Sequence, residues 1–302
     1  MATKTVSLIT SRDDKGLAIT RLFDDTFNKA KLDEEGAQRL WERGGEAQAE
    51  WLATIRKFSA SNQYANQVVR CTRTYPLGFA VKPIRRQVEM LADTLSLSPD
   101  RAFTFIDQAV PKITVPDEAD GWYAFATVDG VAGKHFPDVT GDADRYCRGV
   151  QLILDDKLAS SRDFTNWRKG QLGPDRLRQH VRSVSFWKRV SEQQPGDIAV
   201  LPGQFGKLYG GMSVLRVREL LMGNQFGAGW LAGGCMLLTH PERITDNGLF
   251  VDFPGDEYSL GADGQFDRAP YFRSNGGQVE TDADSVDDPY GLFGSASLWF
   301  PQ

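Results

Sequence analysis

GDIAVLPGQFGKLYGGMSVLRVRELLMGNQFGAGWLAGGCMLLTHPERITDNGLFVDFPGDEY, running from Gly196 to Tyr258, is the stretch on which the reading of the fold turns. Short apolar runs alternate there with glycine-rich pieces, one helical pattern from Ser213, and His, Asp and Glu at what read as strand ends. Asp197–Leu201, Cys235–Thr239 and Leu249–Phe253 have strand composition, and 213–222 has helical spacing behind a Ser cap. The piece from Asp197 to Leu238 accommodates one strand–helix–strand crossover, right-handed if the strands are parallel.

Helical spacing extends the reading outward. Leu40, Trp41, Trp51, Leu52 and Ile55 mark a helix over 32–58, capped by Asp33 and interrupted at Gly44–Gly45, with the two tryptophans as core anchors. Further helices are expected at 84–96, 142–158 and 174–192, and strands at 3–10, 122–128 and in the closing YGLFGSASLWFPQ. His135 falls in an expected loop, and the segment from Gly255 to Asp288 reads as ordered loops and short hairpins. The expected fold is α+β (mixed α/β): one domain, with a helical layer over 1–110 and a sheet-containing core over 111–302. Its sheet is largely antiparallel and comes from the middle and C-terminal segments.

Composition narrows the class. The chain has 302 residues, 41% hydrophobic and 25% charged, which suits a folded globular protein with a sizeable core. No apolar run approaches the roughly 18–20 residues of a membrane span. The opening MATKTVSLIT lacks the apolar core of a secretory signal, and a cytoplasmic protein is expected. Cys71, Cys147 and Cys235 are widely spaced and odd in number, so they suggest neither a disulfide framework nor a cysteine zinc site. Net charge is −5, against a general nucleic-acid coat. Its distribution says more. Residues 162–189 carry eight basic residues against Asp163 and Asp175, a local +6. Residues 242–288 carry twelve acidic residues against Arg243, Arg268 and Arg273, a local −9. The two segments either pair within the fold or face different partners.

The segments GQLGPDRLRQH (170–180), GDIAVLPGQFG (196–206), LLTHPERI (237–244), DFPGDEY (252–258) and the closing YGLFGSASLWFPQ carry a resemblance. Over roughly residues 80–302 the chain resembles a family of uncharacterised bacterial proteins from candidate-phylum and environmental genomes. The resemblance implies a bacterial, intracellular protein and transfers no functional residue.

Three groups of residues suggest chemistry. PGQFGKLYGGMS, between an expected strand and helix, is a candidate anion loop: Gly203, Gly206, Gly210 and Gly211 let a phosphate approach the main chain, Lys207 adds charge, and Ser213 caps the helix. Its spacing matches neither the P-loop nor the dinucleotide fingerprint, and the same glycines also suit turns. The basic helix adds Arg176 and His180 to this ligand-binding set, with Arg168, Lys169, Arg178, Arg182, Lys188 and Arg189 around Trp167, Phe186 and Trp187. The third group is His240 with Asp252, Asp256 and Glu257. If their strands are neighbours, they could act as catalytic residues, with Asp252 and Asp256 holding a divalent metal ion that activates water. Proline–glycine turn chemistry accounts equally for those carboxylates.

The first functional expectation is therefore binding of a phosphate-bearing ligand, nucleotide or nucleic acid. The alternative is a metal-assisted hydrolase, and the default is a structural or protein-interaction role. No membrane partner is expected.

Overall fold

Strand β4 (Ile198–Gly210) is thirteen residues long and organises the sheet, with β1 (Gly121–Ala126) on one side and β10 (Phe293–Trp299) on the other. The computed structural model describes residues 12–59, 63–261 and 263–301. The fold is α+β. Ten strands make one mixed, largely antiparallel sheet in the order β1-β4-β10-β6-β8-β7-β3, where β3 is Leu177–Gln179, β6 Phe250–Asp252, β7 Asp256–Tyr258 and β8 Arg268–Asn275. β9 (Gln278–Ser285) forms a long hairpin with β8 and pairs in parallel with β2 (Phe164–Asn166). The short β5 (Gln225–Gly227) pairs with β10. Acidic residues 255–288 thus lie mostly in strands.

The glycines expected in an anion loop belong to this central strand. Gly203 and Gly206 are buried in β4, Gly210 ends it, and the buried Gly211 follows at φ 76°. The strand continues because β10 pairs with it on both sides of an irregularity: Ala296 lies opposite Phe205 and Gly294 opposite Gly210. One β10 residue, Ser295, therefore faces the four β4 residues Gly206–Tyr209, a bulge that leaves Lys207 and Leu208 exposed. A Cβ at Gly206, itself at φ 118°, would lie 2.9 Å from the Gly294 carbonyl, so glycine is needed here for close strand approach and not for a phosphate.

The bulged amides are satisfied by side chains. Gln204 Oε1 accepts from Gly206 N–H (2.8 Å) and Leu208 N–H (3.2 Å), while its Nε2 donates to the Ser295 carbonyl (2.8 Å) and Ser297 Oγ (2.9 Å). A fully buried amide thus stands in for the missing ladder rungs.

Helix α11 (Trp230–Thr239) corrects the strand expected at Cys235–Thr239. It is apolar all round because it is buried nearly all round, a case that periodicity cannot separate from a buried strand. Its glycines permit close packing: a Cβ at Gly233 would lie 2.2 Å from the Phe253 ring, and one at Gly234 2.3 Å from Ile153. α4 (Ile84–Leu95), α5 (Asp100–Gln108), α6 (Val128–His135) and α7 (Asp142–Gln151) belong to the same unit as the sheet. His135 accordingly ends a helix. α7 continues through a π-helical segment (Leu152–Leu158) into the short α8 (Ala159–Ser161).

The helix expected at 174–192 begins later. Leu177–Gln179 pairs with Tyr258, Glu257 and Asp256 as β3, and only then does His180 cap α9 (Val181–Gln193) by accepting from Arg182 N–H. Tertiary strand pairing has overridden local helical spacing there. α10 (Val214–Leu220) is capped by Ser213, whose hydroxyl accepts from Arg216 N–H.

Chain contacts divide the molecule into two compact units, Met1–Ser59 and Ala60–Gln302. The described part of the first consists of α1 (Asp14–Lys29), α2 (Glu34–Glu42) and α3 (Gly44–Ser59). Asp33 caps α2 through Gly36 N–H, and the chain breaks at Arg43 beside the glycine pair. Trp41 and Trp51 are not core anchors: they are 82% and 45% exposed. The strand expected at 3–10 lies outside the described residues. No described helix is long and apolar enough to cross a membrane.

Replacing Gln204 with Leu strands the Gly206 amide and the Ser295 carbonyl inside the sheet. At about 1–3 kcal/mol for each unsatisfied buried group, the variant should lose roughly 2–6 kcal/mol of unfolding free energy in urea titration. A loss below about 1 kcal/mol would show that the bulge does not depend on this amide.

Candidate functional site

The bulge in β4 also receives groups from the loop before α4 and from the chain leading into β1. Tyr75 and Asp120 meet there: the Tyr75 hydroxyl donates to Asp120 Oδ2 at 2.6 Å. Phe205 N–H donates to both Asp120 Oδ2 and the Tyr75 oxygen (3.1 Å each), and Lys207 N–H reaches the Tyr75 oxygen at 3.3 Å. Every described bond to the Asp120 side chain uses Oδ2. Oδ1 has no partner among the described residues, and Asp120 lines a cleft of about 590 Å³ together with Tyr75, Phe79, Asp117, Glu118 and Lys207.

Behind the cleft lies a buried polar layer. Arg243 is fully buried, with its guanidinium 4.1 Å from the Tyr75 ring centre. It donates to the carbonyls of Leu249 (2.6 Å) and Phe205, while its Nε and the buried Tyr123 hydroxyl find no partner among the described residues. Burial dominates the ionisation of this layer. It raises Asp120 above the usual carboxylate range against the pull of the Tyr75 and Phe205 hydrogen bonds, and it raises Tyr75 and Tyr123 while lowering Arg243. Such a concentration of shifted groups beside an open cleft marks a candidate site.

Of the expected site residues, His240 and Lys207 come to this region. Lys207 lines the cleft. His240 is fully buried at the C-terminus of α11, its ring 5.4 Å from that of Tyr123. Its Nε2 accepts from Lys82 N–H (2.9 Å), so Nδ1 carries the proton and donates to Thr239 Oγ1 (2.9 Å). Burial holds the imidazole neutral, with its pKa lowered to about 4. With both nitrogens occupied, His240 anchors the helix end instead of serving as a catalytic base.

Asp256 sits at the other end of the same helix. It accepts from Trp230 N–H (2.7 Å) and from the Tyr146 hydroxyl (2.6 Å to Oδ2). Ten residues at 1.5 Å each place it about 15 Å from His240. Burial pushes its carboxyl up to about 7 against those hydrogen bonds. Asp252, on β6, is separated from Asp256, on β7, by the intervening strand β8, about 10 Å at sheet spacing. Glu257 is engaged by Arg178 (2.7 Å) and lies 3.7 Å from Arg218. The four expected catalytic residues therefore do not converge. Among the described residues, no group of three or more His, Cys, Asp or Glu side chains could hold a metal ion.

The basic segment is largely consumed internally. Arg168 pairs with Asp282, Arg178 with Glu257, and Arg182 donates to the Gln225 and Gly223 carbonyls. Arg176 bonds the Leu260 carbonyl, and His180 is the α9 cap. Sequence reasoning missed Tyr75 and Asp120 because 45 residues separate them and PDEADG (116–121) has ordinary loop composition. The one available signal was the run of Asp117, Glu118 and Asp120 just before a strand. Comparison with protein-family models, curated proteins and solved structures finds no match.

Asp256 and His240 give opposite pH dependences. Asp256 binds its proton more tightly folded (about 7) than unfolded (3.8), so its contribution to stability falls as pH rises between those values. His240 binds its proton less tightly folded (about 4) than unfolded (6.5), so its contribution rises over that window. Relative to wild type, Asp256→Asn should gain stability with pH between 4.5 and 6.5, approaching the limit of about 1.4 kcal/mol per unit for one proton. His240→Gln should lose it. Urea midpoints at three pH values check both, and parallel pH curves for all three proteins would refute the assignment.

Proposed function

We propose that the protein binds a small ligand bearing a cationic hydrogen-bond donor, an ammonium or guanidinium group, in the Asp120 cleft. One observation carries this reading: Asp120 lines the cleft with one oxygen engaged by Tyr75 and Phe205 and the other without a partner among the described residues. A carboxylate oxygen only accepts, so it selects a donor. Charge supports the same sign. Asp117, Glu118 and Asp120 outnumber Lys207 on the lining, and the count stays negative when the buried Arg243 behind the Tyr75 ring is included.

The supporting structure is rigid where it matters. The Tyr75–Asp120 hydrogen bond and the Phe205 and Lys207 amides hold the pair, so little side-chain entropy remains to be lost when a ligand docks. A phosphate-bearing ligand at this cleft would meet three carboxylates and a single lysine. The glycine stretch offers it no loop of free amides, since the N–H groups of Gly206, Lys207 and Leu208 are already engaged.

Asp120→Asn should weaken binding of 1,4-diaminobutane or agmatine at least tenfold in calorimetric titration, because the substitution removes charge while keeping shape. Inorganic phosphate should not bind at the cleft. Raising salt should weaken amine binding, since the attraction is partly between exposed charges. Failure of the folded wild type to bind either amine at millimolar concentration would sink the proposal.

A further inference from the structure

A second cavity, of about 410 Å³, opens between α6, α7, α9 and the N-terminal turn of α11. It exists because its inner wall is made of residues with little or no side chain: Ala126, Gly229 and Ala232. Gly229 cannot grow, since a Cβ there would lie 2.5 Å from Asp256 Oδ1 and 2.7 Å from the Tyr146 hydroxyl. Leu231 completes an apolar interior, and Val184, 48% exposed, extends it to the rim.

One side is formed by the indole of Trp187, fixed by edge contacts at 84° with Phe125 and Phe226, whose centroids lie 6.0 and 5.8 Å away. Its ring N–H and the Gln179 amide have no hydrogen-bond partner among the described residues. Gln179 is presented by β3, whose backbone pairing with Asp256 fixes its position. Lys188 and Asp142, one of each sign and neither ion-paired among the described residues, line the same cavity, whereas Asp129 is held by Arg145 (2.8 Å).

We infer that this cavity is a binding site for an uncharged planar heteroaromatic molecule of nucleobase or nucleoside type. An apolar interior with a fixed aromatic side suits a flat ring, and base–aromatic stacking contributes about 1–3 kcal/mol per base. The Gln179 amide offers a donor and an acceptor in one plane, matching the edge of a base. The balanced Lys188 and Asp142 favour a neutral ligand over a phosphate or a cation. The volume lies within the range of small-molecule sites.

The test is titration of the full chain with adenosine, guanosine and naphthalene, followed by calorimetry and tryptophan fluorescence. At least one nucleoside should bind saturably and quench fluorescence, and the quench should be lost in Trp187→Phe. Gln179→Leu should weaken that binding about tenfold. Ser191→Trp, placed on the exposed face of α9 at the cavity, should block it without unfolding the protein, as circular dichroism would verify. Asp120→Asn should leave it unchanged, which separates this site from the amine cleft. The inference is overturned if no nucleoside binds, if naphthalene binds as tightly as the nucleosides, or if the folded Ser191→Trp protein binds unchanged.

Discussion

The structure depends on how β4 crosses the centre of the sheet while out of register with β10. One residue of β10 faces four of β4. The amides released by that mismatch would be costly inside a sheet. Gln204 absorbs those of Gly206 and Leu208 and Tyr75 that of Lys207, while Asp120 and Arg243 take up the Phe205 amide and carbonyl just past the end of β1 pairing at Gly203. These side chains come from four separate parts of the chain. The bulge thus ties the loop before α4, the lead into β1 and the turn after α11 to the central strand.

The same solution produces the candidate site. A carboxylate recruited to satisfy one backbone amide with one oxygen leaves its other oxygen available. Burial then raises its pKa, because the hydrogen bonds that favour its charged form do not outweigh desolvation. Asp256 shows the same competition elsewhere: two good hydrogen bonds at a helix N-terminus still leave the carboxyl near 7. At these two carboxylates burial is the larger effect, whereas at Glu280 the hydrogen bonds from Arg273 and Asn275 prevail over it and lower the pKa.

Much of the local structure was legible in the sequence. Asp33 and Ser213 cap the helices they precede, the 84–96 stripe is α4, and the run after Gly121 is β1. The errors have a common cause. Gly203 to Gly210 reads as a loop because glycine is locally permissive, yet β10 makes it a strand. Cys235–Thr239 reads as a strand because a wholly buried helix shows no polar face. Leu177–Gln179 reads as helix because its pairing partner lies some 80 residues away. The sequence left the basic and acidic segments either to pair or to face different partners, and in the fold Arg168–Asp282 and Arg178–Glu257 join them.

By itself the sequence determined the α+β class, the positions of helices such as α4 and α7, and the opposition of charge between residues 162–189 and 242–288. Caps, stripes and charge counts depend only on near neighbours along the chain. The tertiary structure decided which carboxylates have a free oxygen, which histidine is locked neutral, and which small residues enclose a cavity. Tyr75 meets Asp120, and His240 parts from Asp256, through strand register and the length of one buried helix. Those are long-range quantities, and no spacing in the sequence encodes them.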